Sequence, residues 1–178
     1  MRTALFISAL AFLGLCFTLP AALSPAPKES GIQWITFAEL AKKQKSKPRK
    51  VFIDVYTDWC GWCKKMEAST FKNPVIVKYM NENYYSVRFN AESKDPIEFN
   101  GKKYTNTGGT HQLASFLLSN KLSYPTTVYL NDDLSLIQAV PGYLDAKTFE
   151  MVVKYFGEEA NKTIPWPDYQ QTFVGEVK

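Results

Sequence analysis

The sequence predicts a mixed α/β domain with a central sheet flanked by helices, and three observations carry that expectation. Residues 51–56 form an apolar, β-branched run broken only by Asp54, the pattern of a strand buried on both faces. Amphipathic stretches then alternate with a second β-type run at 84–90, as in parallel strands joined by crossover helices. Two further β runs, 126–130 and 134–140, are separated by Asn131-Asp132-Asp133 and read as a terminal antiparallel hairpin.

Along the chain, residues 1–23 carry a single charge, Arg2, ahead of an apolar run at 4–19 and a small-residue end. That is the make-up of a secretory signal, with an uncleaved anchor through 4–19 as the alternative. Cys16 follows Leu15 rather than the small residue that lipidation favours, so it is expected to leave with the signal. Residues 24–33, rich in Ser, Pro and Lys, read as a linker, and the domain is expected to run from 34 to 157.

Thr36 and Glu39 have capping-box spacing in front of a short helix, which runs into a basic, solvated connector at 42–50. After the first long strand, helices are expected from Lys64 to about Thr70 and from Asn73-Pro74 to Asn83. Residues 91–109 are polar and turn-rich. They are expected to form an excursion outside the core, with a small hairpin at Asn100-Gly101. Residues 113–118 suit a helix, and His111 just before it is expected at the surface. Asp145 caps a final amphipathic helix through Phe156, with Gly157 as its stop. The tail, 158–178, shows no period.

Composition narrows the function. The chain has 178 residues, 46% apolar and 15% aromatic, too many for disorder and enough for one real core. A formal charge of +4 with no dense basic face argues against a nucleic-acid partner. Beyond the expected signal only two cysteines remain, Cys60 and Cys63, which would close a loop too short for an effective structural staple.

The Trp59-Cys60-Gly61-Trp62-Cys63 sequence follows the buried strand directly and opens a helix. A thiol at a helix N-terminus faces unpaired N–H groups and the positive end of the dipole, both of which favour thiolate. Cys60 is therefore read as the nucleophile, and Cys63, one turn deeper, as the thiol that resolves a mixed disulfide. A zinc site would need two more soft ligands and no metal is expected; covalent haem attachment would need His where Lys64 stands. A purely structural bridge is the remaining alternative.

The stretch from Val51 through Asp54 and the Cys60–Cys63 motif to Glu67 resembles the thioredoxin family, in particular the periplasmic C-terminal domain of DsbD-type disulfide reductases and their exported relatives. Tyr124-Pro125-Thr126 is similar to the family's cis-proline segment, and residues 142–149 to its closing strand-to-helix segment. The resemblance implies a thioredoxin fold in which the excursion is inserted before the cis-proline. It implies that Asp54 is a buried acid serving Cys63 as a proton acceptor, and that Glu67 is a second nearby acid. Pro125 would be cis, with Tyr124 before it offering backbone to an extended substrate and Thr126 after it also on the substrate-binding side, while Trp59 and Trp62 form an apolar rim.

The implied activity is protein-disulfide exchange in the periplasm, with no cofactor beyond the Cys60–Cys63 pair and with electrons from a membrane-borne or soluble donor protein. Misoxidised proteins or apocytochrome cysteines would be its substrates. Gly61-Trp62 places no histidine between the cysteines, so a fairly reducing couple is expected, which suits a reductase. An oxidase or isomerase using the same residues, and a non-catalytic binding module, are the alternatives.

Overall fold

The computed structural model describes residues 31–178; the expected signal, Cys16 and residues 24–30 of the expected linker lie outside the described residues. The elements are β1 (Trp34–Ile35), α1 (Phe37–Ser46), β2 (Val51–Tyr56), α2 (Gly61–Ala68), α3 (Pro74–Asn83), β3 (Tyr85–Asn90), β4 (Ile97–Phe99), β5 (Lys102–Tyr104), α4 (Gln112–Leu117), β6 (Thr126–Leu130), β7 (Leu136–Pro141), α5 (Ala146–Gly157) and α6 (Trp166–Thr172). The main sheet has the order β1-β3-β2-β6-β7. β1, β3 and β2 run parallel, while β6 is antiparallel to β2 and β7 to β6, giving the mixed sheet that the sequence predicts.

Strand alternation divides the interior into two layers. Val51, Ile53 and Val55 of β2 face one side with Leu40, Val87, Phe89, Leu113 and Val128. Phe52 faces the other, packing edge-on against Phe71 and Phe149 and tilted against Tyr129. Each such side chain, once buried, contributes about 1.5–3 kcal/mol. Asp54 shares the face of Phe52, so its carboxyl enters the layer under α2, where an ionised group has little solvation.

The local signals behave as their chemistry dictates. Thr36 and Glu39 form the reciprocal capping box at the start of α1. Asn73 caps α3 with Pro74 in its first turn, and Asp145 caps α5. A hairpin, β4–β5, turns at Asn100-Gly101, both at positive φ.

Three expectations are corrected. Order starts before residue 34: Ile32 is buried in the core, and the Gln33 amide donates to Asn81 Oδ1 at 2.8 Å. The excursion is not outside the core, because Ala91, Phe99 and Tyr104 are buried in the Leu40–Leu113 layer. His111 is fully buried, not at the surface. Its Nδ1 accepts from the Leu113 amide at 3.1 Å as the N-cap of α4, and its Nε2 lies 3.1 Å from the Asp95 carbonyl. One ring thus ties both ends of the excursion together.

Gly157 is the last residue of α5, as expected. A Cβ there would come within 3.0 Å of the Tyr84 hydroxyl, so the glycine answers a close approach of tyrosines. The tail, finally, folds back. Tyr169 packs 4.8 Å from Tyr155, and the buried Glu150 carboxylate accepts from the Glu176 and Val177 amides and from Lys154 Nζ.

Replacing His111 tests its double tie. His111→Ala is expected to lower stability by about 1–3 kcal/mol and to speed amide exchange across residues 92–110. His111→Asn keeps a capping acceptor and should recover part of the loss; equal losses in the two variants would remove the capping role.

Candidate active site

The C-terminal end of β2 delivers the chain into α2 through a tight turn in which the Cys60 amide donates to the Thr57 carbonyl. Cys60 is the N-cap of α2, and the Cys63 amide donates to its sulfur at 3.1 Å. That sulfur therefore sits where the first-turn N–H groups and the helix dipole converge, which favours its anionic form once the pair is reduced. Cys60 and Cys63 are joined in a disulfide, with Cα atoms 5.3 Å apart. Both are covered, at 4% and 3% exposure, between Trp59 and Trp62, which are 68% and 55% exposed. The disulfide lies at the floor of an aromatic rim.

On β2, the strand that leads into this turn, Asp54 is buried as expected, and one of its oxygens, Oδ1, takes no protein partner among the described residues. Its other oxygen accepts from Arg88 Nε at 3.3 Å. Burial raises the carboxyl from its ordinary 3.8 to about 6; the Arg88 charge and hydrogen bond pull the other way without overcoming it, and Glu67 adds a small upward push. Arg88 donates its Nη1 to Glu67 Oε1 at 2.6 Å, so one guanidinium bridges a buried acid and a half-exposed one. Glu67 lines an open groove with Trp34, Phe71 and Lys72.

Arg88 was not singled out by sequence reasoning. The available signal is a cation at the one strand position whose register partner is the buried acid, Asp54↔Arg88. That signal becomes readable only once β2 and β3 are known to pair in parallel.

Two loops complete the rim. The Tyr124–Pro125 peptide bond is cis, and neither the amide nor the carbonyl of Tyr124 takes a backbone partner among the described residues. The Tyr124 ring meets Trp59 edge-on at 5.9 Å. After β7, Gly142 adopts a positive φ of 99° and donates its amide to the Pro125 carbonyl at 2.8 Å, which sets Tyr143 against Trp62 at 5.2 Å. Thr126 is buried, and its hydroxyl donates to the Ser123 carbonyl at 2.8 Å, which shapes the loop. Trp59, Trp62, Tyr124 and the cysteines thus meet at this edge of the sheet, while Asp54 and Glu67 are joined through Arg88.

A family model described as a thioredoxin-like domain matches residues 37–157. Among solved structures, a DsbH oxidoreductase aligns with a TM-score of 0.54 and 14% identity, covering 80% of this chain and 95% of that one. A thioredoxin-fold protein from Helicobacter pylori aligns with a TM-score of 0.54 and 18% identity over 70% of this chain and 79% of its own. Among curated proteins, spermatogenesis-associated protein 20 of Rattus norvegicus is 29% identical over 68 residues, 38% of this chain. The match spans only 9% of that protein's length.

The raised Asp54 carboxyl fixes a pH dependence of stability. Below about pH 4 folded and unfolded chains both hold the proton and no penalty exists. As pH rises through the interval up to about 6 only the unfolded carboxyl ionises, so stability falls; above it the loss is complete. Asp54→Asn should therefore stabilise the protein by about 1–3 kcal/mol at pH 7.5, with the gain fading by pH 4. A gain of equal size at both pH values would assign the effect to something other than the charge. Arg88→Gln removes the opposing cation and should move the Asp54 carboxyl above its value in the parent chain, measured by carboxyl-carbon NMR titration.

Proposed function

The chain belongs to the thioredoxin-like domain family, and from that premise we propose that it is an exported thiol–disulfide oxidoreductase that reduces disulfides in other proteins. The observation that carries this reading is the vertical arrangement of the site. A sulfur caps a helix at the floor of an aromatic rim, and a carboxyl that holds its proton up to about pH 6 is buried in the strand that leads to it.

In the reducing direction the Cys60 thiolate attacks one sulfur of a client disulfide, and the client's other sulfur leaves as a thiolate. A mixed disulfide between Cys60 and the client results. Cys63 then gives up its proton and attacks the Cys60 sulfur, expelling the second client thiolate and forming the Cys60–Cys63 disulfide. Two electrons pass from the protein to the client. Ionised Asp54 is the proton acceptor for Cys63, through an intervening water, and the Arg88 charge favours that anionic form against the effect of burial. The exposed rings of Trp59 and Trp62 bind apolar flanks of the client segment, and the Tyr124 backbone pairs with it as an added strand would.

Export rests on the composition of residues 1–23, and the reducing direction on the absence of a histidine between the cysteines. No cofactor or metal has a part in this cycle. A donor protein, membrane-borne or soluble, returns the disulfide to the dithiol.

Cys63→Ser should accumulate mixed disulfides through Cys60 that reducing agents release, whereas Cys60→Ser should form none and should not reduce insulin. An absence of trapped species in the Cys63→Ser chain would favour a binding module. A reduction potential near about −120 mV would reverse the direction to oxidation. Insulin reduction should also lose rate as pH falls through about 6, where Asp54 takes up its proton, and Asp54→Asn should flatten that limb.

A further inference from the structure

The edge that carries the disulfide has flanks of opposite charge. β3 lies on one side of β2 and β6 and β7 on the other, and their pairings bring the ends of β2, β3 and β7 and the start of β6 to one edge. On the β3 flank, Glu92 accepts from Trp59 Nε1 at 3.0 Å, and Asp58 accepts from Asn90 Nδ2 at 3.0 Å. On the β7 flank, Lys65 Nζ sits 4.8 Å from the Trp62 ring centre and 5.2 Å from that of Tyr143, and Lys64, the preceding residue in the chain, is exposed. None of these four charges has an ion-pair partner among the described residues.

The acidic flank is held in place by the excursion. Asn106 Nδ2 donates to the carbonyls of Glu92, Ser93 and Gly109, and the Glu92 amide donates to Asn90 Oδ1 at 2.9 Å. Thr110 lies beside the Tyr124 hydroxyl, so the same segment backs both aromatic groups of that wall. A loop fastened at so many points, with its first acidic side chain turned onto the rim tryptophan, has the construction of a recognition wall.

We propose that the exchange site selects clients by charge polarity. Its occupant is an extended cysteine-bearing segment of another protein, with a basic side chain on one side of the cysteine, facing Glu92 and Asp58, and an acidic one on the other, facing Lys64 and Lys65. Charge complementarity across the rim decides among clients, because each mismatched flank places like charges together while the apolar contacts stay the same. This inference rests on the exchange activity proposed above and names the client class for that site.

Four peptides with one central cysteine test it, each carried as a mixed disulfide with thionitrobenzoate. They place Lys before and Asp after the cysteine, the reverse, Asp on both sides, or Lys on both sides. Attack of the Cys60 thiolate on the peptide sulfur releases the coloured thionitrobenzoate anion, and Cys63 then displaces the peptide thiolate. With pre-reduced protein at low salt, the better mixed-charge peptide should react roughly three- to tenfold faster than either single-sign peptide, a preference that shrinks at high salt. Glu92→Lys should transfer the preference to the Asp–Asp peptide and Lys65→Glu to the Lys–Lys peptide, with circular dichroism showing that each variant is folded. Exchange with all four peptides at rates that neither substitution reorders would overturn the inference and leave the activity standing. Exchange with none would sink both.

Discussion

A carboxyl group placed where it cannot easily be charged is the constraint on which the rest of this structure depends. Asp54 enters the apolar layer because strand alternation puts it on the face of Phe52, and burial there pushes its carboxyl toward the neutral form. Arg88 limits that effect. Reaching Asp54 through Nε and Glu67 through Nη1, its guanidinium has a partner at each end, one buried and one open to water. The cation is over-satisfied and the buried acid under-satisfied, and that imbalance leaves Asp54 titrating near neutrality instead of as a firm ion pair or a permanent neutral acid. Its ordinary contribution to stability is thereby given up, and the strand that leads into the disulfide turn carries a carboxyl that exchanges its proton at about pH 6.

Much of the fold and part of the site could be read from local chemistry. The β-branched run of β2, the capping residues Thr36, Asn73 and Asp145, and the Asn100-Gly101 turn each act within a few residues, so their signals survive in one dimension. The cysteine pair stood out by its spacing directly after a β-branched run, and Asp54 by the resemblance of the same stretch to the thioredoxin family. What escaped depended on partners distant in sequence. Arg88 acquires meaning only from its register with Asp54, and the close packing at Gly157 only from the tyrosines of α3 and its C-cap packed over α5.

His111 and Glu150 illustrate the same limit from the polar side. A lone histidine in polar surroundings and a glutamate on an amphipathic helix both look solvated, yet both are buried because backbone groups far along the chain satisfy them. Each fastens a segment that has no periodicity of its own. His111 closes the excursion and Glu150 captures the tail, so polarity in these stretches reports hydrogen bonding rather than exposure.

The excursion connects these two themes. A segment with turn-rich, charged composition would ordinarily be a mobile loop, but Phe99 and Tyr104 anchor it in the core, while Asn106 and His111 cross-link its backbone. Rigidity matters here because an exposed charge on a mobile loop is screened and averaged over many positions, and contributes little to discrimination. Glu92, by contrast, is held against Trp59 at a fixed place on the rim. The same hydrogen bonds that give the loop its order thus turn an otherwise anonymous surface acid into a directional group beside the cysteines. Different parts of the chain thus shape the two sides of the site: helix α2 and the acid on β2 set the surroundings of the cysteine pair, and the insertion fixes Glu92 against Trp59.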